Sequence, residues 1–385
     1  MSETWTVKRC LDWTNEYLGG KGIEKPRVSA EWMLSSILGL SRTQLYMSFD
    51  RPLLPEELDR MHRSVVRRAK GEPLQYITGD TQFRIIDVAC EPGVLIPRPE
   101  TEMLVEEVLA FIDRDVFGEA DGASRRERAA LPWNAEVEAA RRAEEAAAAE
   151  KARQDAAESE DDGPKPDGDG LPEDRPDDDV DGSEGESDAK GSEPRCARIL
   201  EVGCGTGCIS LSFAAERPGR VRCIATDIEP RAVALACRNR DALGIGAEVV
   251  DFREGNLVSP LDRQTEWGTF DVLVSNPPYI PTSVMKQLPQ EVAAYEPELA
   301  LEGGEDGLDI FRRLVNAAPS MVRPGGLLAC ELHETALDAA ADICRQAGFE
   351  NVRIVSDLAG RPRIILAAVP EAAVLAARER FARRA

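Results

Sequence analysis

Residues 196–213, CARILEVGCGTGCISLSF, decide the fold of this chain. The apolar run that ends at Val202 predicts a buried strand, and the apolar residues from Ile209 onward predict a helix directly behind it. Between strand and helix stand three glycines at alternate positions, which let the backbone approach a ligand closely. The segment therefore indicates a strand, a ligand-binding turn and a helix in immediate succession.

A carboxylate stands in register with this glycine loop. Twenty residues past Gly207, a second apolar run ends in Asp227, whose carboxylate could accept both hydroxyls of a ribose. A glycine loop alone is often only a tight turn, but strand, loop, helix, strand and aspartate in this order predict nucleoside binding. The spacing Gly203-x-Gly205-x-Gly207 lacks the interval that suits a dinucleotide pyrophosphate.

The chain after Pro194 alternates between apolar runs and helical patterns. The first five apolar runs are rich in Val, Ile and Leu on both faces, as parallel strands covered by helices are. This predicts a doubly wound α/β sheet with a ligand at the carboxyl ends of its strands. The predicted strands are 198–202, 221–227, 248–252, 270–275, 327–331, 352–356 and 363–368.

The region before the glycine loop has a different character. Apolar residues at helical spacing predict a helix with Ser29 as its N-cap, and another from Pro55 to Gly71. Residues 75–88 favour extended structure around Gly79-Asp80. We divide the chain into a helical domain 1–74, a β-hairpin linker 75–95, a helix 96–113, an acidic insert 114–195, an α/β domain 196–370 and a helical tail 371–385.

Composition restricts the class of protein. The 385 residues carry a formal net charge of -23, but residues 155–193 alone hold 17 acidic and 3 basic side chains. We expect residues 155–194 to be disordered because they have almost no large apolar residue, and Ala-rich residues 134–157 could form a solvated helix. The mildly acidic remainder argues against a protein that binds a nucleic-acid backbone directly.

Cysteine usage and hydropathy indicate the compartment. The nine cysteines show no paired ligand spacing and there are only two histidines, so we expect reduced thiols and no metal site. The segment Met1 to Trp13 lacks the apolar core of an export signal, and no run reaches the length of a membrane span. We expect a cytoplasmic monomer without membrane contact.

The end of the fourth predicted strand indicates a reaction. Two prolines make Asn276-Pro277-Pro278-Tyr279 rigid. An amide or aryl amine is a poor nucleophile because its lone pair is delocalised, so an enzyme must hold it in line with the electrophile. Asn276, through its side-chain oxygen, and Pro277, through its carbonyl, can each accept one N–H of a planar group while Tyr279 walls its face.

Together these motifs resemble a known family. Asn-Pro-Pro-Tyr after such a glycine loop is typical of class I methyltransferases that act on planar nitrogens. The chain is further similar to the HemK/PrmC release factor glutamine methyltransferases in five stretches: Gly71–Gly79, Leu95–Glu102, Tyr295–Leu301, Gly303–Gly307 and Asp357–Gly360. The resemblance implies an α/β fold, a Rossmann-like seven-stranded class I methyltransferase sheet with a small N-terminal helical domain.

The resemblance also implies an activity and its participants. The reaction would be N5-methylation of the glutamine in the Gly-Gly-Gln tripeptide of class 1 peptide chain release factors, with S-adenosylmethionine as the cofactor. The helical domain 1–74 would help to hold the substrate protein.

Carried onto this sequence, the family pattern assigns three sets of residues. Asn276, Pro277 and Tyr279 would be catalytic. The cofactor would be bound by Glu201, Gly203, Cys204, Gly205, Thr206, Gly207, Asp227, Asn256 and Asn276. The substrate would be bound by Asn276, Pro277, Pro278, Tyr279, Arg98, Pro99 and Glu100.

Several of these assignments have ordinary alternatives. Arg98, Pro99 and Glu100 could simply start a helix with a structural salt bridge. Asn256 could contact adenine or sit in a turn, and it stands where some relatives have an aromatic residue. His333 replaces a more usual glycine. It could touch the cofactor pocket, but we expect it to be an ordinary residue at a strand end.

Three other functions compete with the family's activity. A glutamine methyltransferase acting on a ribosomal protein would need the same pocket and a different docking surface. An adenine-N6 methyltransferase would need a basic recognition surface, which the composition does not offer. A non-enzymatic scaffold that recruits basic partners through the acidic insert would tolerate an altered cofactor loop, yet every glycine of the loop is present.

Overall fold

The computed structural model describes residues 4–119, 195–357 and 359–382. The helix predicted at 134–157 and the disorder predicted at 155–194 lie outside these residues. The predicted start of the insert at residue 114 is wrong, because the chain continues into a π-helical turn, Ile112–Val116, whose Val116 is buried in the core. Apolar contact with the sheet thus extends the folded region past the point where the composition changes.

The N-terminal part is a helical unit around its own apolar core. It contains α1 Val7–Gly20, α2 Pro26–Leu38, α3 Arg42–Met47, α4 Pro55–Arg68 and α5 Leu74–Thr78. Ser29 does not cap α2, because that helix begins at Pro26, whose fixed φ suits the first helical position. Ser29 is buried inside the helix, where its hydroxyl accepts a hydrogen bond from Nε of Arg68 at 3.3 Å.

The linker departs from its predicted form. Residues 75–78, expected to begin an extended segment, belong instead to α5, which ends before Gly79, whose φ is +93°. The hairpin comes later, with β1 Asp80–Phe83 and β2 Ile86–Ala89 joined through Arg84 and Ile85. The β propensity of these residues is overridden because Tyr76 is buried and its hydroxyl donates to the carbonyl of Val94 at 2.7 Å.

The α/β part confirms the predicted fold class. One sheet contains seven strands: β3 Ala197–Val202, β4 Val221–Asp227, β5 Val250–Glu254, β6 Phe270–Ser275, β7 Val322–Glu331, β8 Glu350–Ser356 and β9 Pro362–Ala368. Their order in the sheet is β5-β4-β3-β6-β7-β9-β8, in which the first five are parallel and β9 runs antiparallel to both β7 and β8.

Helices cover both faces of this sheet. Successive residues of one strand point to opposite faces, so that Ile199 belongs to one apolar cluster and Leu200 to the other. The first cluster includes α6 Pro99–Phe111, α7 Cys208–Glu216 and α8 Pro230–Ala242. The second includes α11 Asp309–Met321, α12 Leu337–Gln346 and α13 Glu371–Ala382.

Two short helices precede α11. They are α9 Thr282–Met285 and α10 Gln290–Ala293, followed by a 3-10 turn, Glu298–Ala300. Within the described ranges, no helix is both long and apolar enough to cross a membrane. Nor do three or more Cys, His, Asp or Glu side chains in those ranges group into a metal-binding cluster.

An arginine in the hairpin turn joins the linker to the sheet domain. Arg84 has a left-handed backbone with φ +51°, and its side chain is only 10% exposed. Its guanidinium donates to Glu216 on α7 at 2.9 Å, to Glu106 on α6 at 2.7 Å, and to the carbonyl of Glu102 at 2.9 Å. Because Glu216 is 7% exposed, this ion pair is shielded from solvent on both sides.

Replacing Glu216 by alanine should therefore destabilise the protein. The change leaves a largely buried guanidinium without its shielded partner, and we expect the free energy of unfolding to fall by about 2 to 4 kcal/mol. Urea unfolding of both proteins measures the difference. Glu91→Ala is the matched control, because Glu91 and its partner Arg238 are both exposed and such pairs contribute about 0 to 1 kcal/mol. Equal losses in the two variants would contradict the expectation.

Candidate active site

A cavity of about 280 Å³ opens where the parallel strands end. Parallel pairing brings the residues that follow β3, β4, β5 and β6 to one edge of the sheet. Residues from each of these four loops line it, among them Gly203, Asp227, Asn256 and Asn276. The cavity thus joins the glycine loop, the acidic strand end and the Asn-Pro-Pro-Tyr segment in one site.

The glycine loop presents its backbone to this cavity. Gly203 and Gly205 both line it, with φ values of +79° and +54°. A Cβ atom at either position would meet no heavy atom closer than 4.0 Å, so the left-handed backbone and not crowding is what requires glycine. The N–H groups of Gly203 and Cys204 donate to the carbonyl of Thr226 at 2.8 and 3.0 Å, which fixes the loop against β4.

Three other residues of the loop do not line the cavity. A Cβ atom on Gly207 would lie 2.7 Å from Cζ of Phe252, so this glycine allows α7 to pack closely against the sheet. Cys204 and Thr206 are buried, and the Thr206 carbonyl accepts from Nδ2 of Asn239 at 2.9 Å. In this structure these three residues lie behind the loop, and their contact with the cofactor stays a prediction.

Glu201 also lies behind the cavity wall. Its side chain is fully buried, and Oε2 accepts hydrogen bonds from the Ser210 N–H at 3.0 Å and from the Ser210 hydroxyl. Burial raises the pKa of Glu201 to about 8. The residue ties β3 to the first turn of α7 and so supports the loop between them.

Asp227 is the acidic group of the site. Its Oδ2 accepts from the N–H of Gly205 at 2.9 Å, and its Oδ1 accepts from the N–H of Glu229 at 2.9 Å. Burial raises the pKa of Asp227 above its usual range. Each carboxylate oxygen has a further lone pair, so Asp227 can still accept hydroxyl groups from the cavity.

Apolar side chains that the sequence analysis did not single out complete this part of the cavity. Val94 and Leu95 reach it from the segment behind the hairpin, and Ile228 and Leu257 from the loops after β4 and β5. Ile228 is 51% exposed, and Asp227 beside it is half-buried. The sequence feature that could have predicted a place for Ile228 in the cavity is its position directly after Asp227. Apolar faces next to a hydroxyl-accepting carboxylate fit the adenine and ribose of S-adenosylmethionine.

Asn256 lines the cavity and has a defined orientation. Its Oδ1 accepts from Nη2 of Arg313, which lines the cavity too, at 2.8 Å. A guanidinium only donates, so the amide oxygen must face Arg313 and the Nδ2 group is left for a ligand. Asn256 could therefore donate to an adenine ring nitrogen.

The Asn-Pro-Pro-Tyr segment divides between the cavity and the core. Asn276, Pro277 and Pro278 line the cavity. Nδ2 of Asn276 donates to Oγ1 of Thr101 at 3.0 Å, which leaves its Oδ1 available. Tyr279 does not line the cavity, and its hydroxyl donates to Oε1 of Glu331 at 3.0 Å. Its contact with a substrate stays a prediction.

A second stretch clamps this segment from outside. The N–H of Ile280 donates to Leu301 O at 2.8 Å, and the N–H of Gly303 donates back to Ile280 O at 2.9 Å. A Cβ atom on Gly303 would lie 2.7 Å from the carbonyl oxygen of Pro278, and one on Gly307 would lie 2.3 Å from that of Tyr279. These glycines permit a close approach of two backbones that holds the proline loop in place.

The predicted junction residues lie outside the cavity. Arg98 forms an ion pair with buried Glu296 at 2.5 Å, Pro99 is the first residue of α6, and Glu100 lies 3.8 Å from Nη2 of Arg361. This geometry matches the alternative given for these residues in the sequence analysis, in which they start a helix and form a structural salt bridge. His333 does not line the cavity either, and its Nδ1 lies 2.8 Å from the hydroxyl of Thr335.

Gly303→Ala should destabilise the protein through the clamp. The added methyl group would press on backbone atoms that cannot move aside freely, so we expect a loss of about 1 to 3 kcal/mol in the free energy of unfolding. Gly20→Ala is the control, because a Cβ atom there would meet nothing within 4 Å. Thermal unfolding compares the two, and equal melting temperatures would show that the clamp is looser than its distances indicate.

Comparison with known proteins assigns both parts of the chain. Residues 9–79 match the family described as PrmC N-terminal domain, and residues 191–294 match the family described as methyltransferase small domain. Among solved structures the similarity is distant. A methyltransferase from Pyrococcus furiosus is 20% identical with a TM-score of 0.34, over 46% of this chain and 77% of that chain.

Curated relatives match over almost the whole length. The release factor glutamine methyltransferase of Geobacter sulfurreducens is 36% identical over 94% of this chain and 96% of its own. Those of Moorella thermoacetica and Chlorobaculum tepidum are each 32% identical, over 94% and 92% of this chain and 98% and 94% of their own. The resemblance noted in the sequence is thereby confirmed, and the chain belongs to the release factor glutamine methyltransferase family.

Proposed function

We propose that this chain transfers a methyl group from S-adenosylmethionine to the side-chain nitrogen of the glutamine in the Gly-Gly-Gln tripeptide of class 1 release factors. One observation carries the proposal. The available Oδ1 of Asn276 and the hydroxyl-accepting carboxylate of Asp227 line the same cavity. A planar amide and a nucleoside can therefore be held side by side.

The chemistry requires positioning more than acid or base. S-adenosylmethionine, when bound, supplies a methyl group on a positively charged sulfur. The amide nitrogen would form a bond to the methyl carbon as the carbon–sulfur bond broke with its electron pair on sulfur, and one amide proton would leave to water. Because the amide lone pair is delocalised, holding it in line with the methyl group supplies most of the acceleration, which can reach about 7 to 11 kcal/mol.

Two acceptors would hold the glutamine amide. Asn276 accepts one N–H through Oδ1, and Pro277 accepts the other through its backbone carbonyl. Pro278 and the clamp by residues 301–307 keep this corner rigid. Tyr279 supports this corner from behind, because its hydrogen bond to Glu331 anchors the end of the Asn-Pro-Pro-Tyr segment.

The cofactor would be held by the neighbouring loops. Gly203 and Gly205 offer their backbone, Asp227 accepts the ribose hydroxyls, and Asn256 donates to the adenine ring. Glu201, Cys204, Thr206 and Gly207 would act by shaping this loop from behind. The donor set and the apolar walls of the cavity fit such a ligand.

The helical domain would help to hold the release factor beside the pocket. Arg68 on α4 forms an ion pair with Glu291 at 3.0 Å, and the hydroxyl of Tyr295 donates to the carbonyl of Lys70 at 3.3 Å. These contacts join the helical domain to the segment that leads to the cavity wall at Pro297 and Leu299. Arg98, Pro99 and Glu100 would support the substrate side at this junction.

We further propose that the enzyme acts as a cytoplasmic monomer that contacts neither membrane nor nucleic acid. All nine cysteines are free thiols, in keeping with a reducing compartment. Light scattering of the purified protein tests the monomer.

The direct test of the activity maps the methyl group. Purified enzyme, release factor and S-adenosylmethionine should give one added methyl group on the Gly-Gly-Gln glutamine, seen by peptide mass spectrometry. A release factor with alanine in place of that glutamine is the control and should remain unmodified. Methyl transfer to a ribosomal protein alone, or to adenine in an added oligonucleotide, would overturn the assignment.

Two variants should separate binding from turnover. Asn276→Ala removes an amide acceptor, so kcat should fall far more than cofactor affinity. Asp227→Asn must point its NH₂ group at the N–H of either Gly205 or Glu229, so cofactor affinity should fall by about tenfold or more. Calorimetry measures affinity and single-turnover kinetics measure the chemical step. Equal losses of both quantities in Asn276→Ala would mean that Asn276 chiefly supports the cofactor.

A further inference from the structure

We propose that Thr101 and Glu331 are positioning residues that fix which atom of the Asn276 amide faces the substrate. This inference rests on the proposed function, because the orientation matters only if Asn276 must accept a hydrogen bond from a substrate N–H. Thr101 lies in α6, Glu331 is the last residue of β7 and Asn276 directly follows β6. Hydrogen bonds join Asn276 to Thr101 and Thr101 to Glu331 in a continuous chain.

The problem that such a chain solves is the symmetry of the amide. A carboxamide has nearly the same shape when its oxygen and nitrogen exchange places, so packing alone selects neither orientation. In one orientation Asn276 offers the cavity an acceptor, and in the other it offers a donor. A donor would repel the N–H groups of a glutamine amide.

The direction of the chain resolves this ambiguity. Oγ1 of Thr101 lies 2.6 Å from Oε2 of Glu331 and 3.0 Å from Nδ2 of Asn276. The hydroxyl has one proton, and Oε2 of Glu331 accepts it when the carboxyl group is ionised. Burial raises the pKa of Glu331, but a carboxyl proton carried on Oε1, which faces the Tyr279 hydroxyl, also leaves Oε2 as the acceptor. Thr101 is then an acceptor toward Asn276, which must present its NH₂ group to Thr101 and its oxygen to the cavity.

Burial makes the preference strong. Glu331 is 1% exposed and Thr101 is 2% exposed, so water does not replace either partner easily. In the reversed orientation two oxygens would compete for one hydroxyl proton, and one buried acceptor would lose its partner. An unmade buried hydrogen bond of this kind costs about 1 to 3 kcal/mol.

Glu331 also holds the other end of the motif. Its Oε1 accepts from the Tyr279 hydroxyl at 3.0 Å, so one carboxyl group fixes both Asn276 and Tyr279. A glutamine at residue 331 could reproduce this arrangement by turning its oxygen to Thr101 and its NH₂ group to the tyrosine oxygen. A methionine of similar length could reproduce neither contact.

The first test uses variants of nearly unchanged shape. Thr101→Val removes the hydroxyl, and we expect kcat for the release factor to fall by about 30- to 100-fold, as for a misplaced reacting group. Cofactor affinity by calorimetry should change by less than about twofold, because the cofactor loops are untouched. Thr101→Ser keeps the hydroxyl and should recover most of the rate.

The second residue is tested in the same assay. Glu331→Met should lose as much rate as Thr101→Val, and Glu331→Gln should recover most of it. Because both residues act through one chain, the double variant T101V/E331M should be no more than about threefold slower than T101V alone. Fully multiplicative losses, or a valine variant with normal kcat, would overturn the proposal.

A third measurement reads the orientation without turnover. In protein labelled with ¹⁵N-asparagine, the Asn276 NH₂ signals, assigned by their loss in Asn276→Asp, should include one proton that exchanges slowly with solvent. That protection should disappear in Thr101→Val. If the wild-type enzyme modified no glutamine but showed this protected proton, the proposed function would fail while the orientation stood. Rapid exchange of both protons in the wild-type protein would overturn the orientation itself.

Discussion

Parallel pairing of β3 with its neighbours is the constraint on which the rest of this structure depends. β3 pairs with β4 on one side and with β6 on the other, in continuous register. All three strands therefore end at the same edge, and the residues that follow them must meet there. The glycine loop, Asp227 and Asn276 are far apart in sequence, and this hydrogen-bonded ladder brings them to one cavity.

A second layer of contacts makes the edge rigid. The stretch 301–307 clamps the proline loop through backbone hydrogen bonds that only glycine-sized residues permit at Gly303 and Gly307. Glu201 and Glu331 also support the edge, from behind the cavity wall. Each is buried near the end of a central strand and accepts hydrogen bonds from hydroxyl groups. Burial raises the pKa of both carboxyl groups, a cost that their hydrogen bonds partly offset. The site is thus held by groups that never face the cavity.

Much of this architecture could be predicted from local patterns. The apolar runs located all seven strands, and the glycine loop with Asp227 located the ligand edge. Prediction failed where burial competed with local preference. Residues 75–78 have β propensity but lie in a helix because Tyr76 packs inward. The helical region after Pro99 extends past residue 113 because Val116 reaches the core. The burial of Tyr76 and of Val116 cannot be predicted from the residues next to them in sequence.

The sequence by itself determined the fold class, the nucleoside-binding loop, the proline corner and the family, because each depends on residues that are contiguous or regularly spaced. Only the tertiary structure decided which motif residues reach the cavity and which support it from behind. Gly203 and Gly205 line the cavity and Gly207 does not. The Tyr279 hydroxyl donates to Glu331, and Asn276 donates to Thr101, which is 175 positions away in sequence. The physical reason is that a hydrogen bond between distant segments depends on how helices and strands pack, which no local pattern encodes.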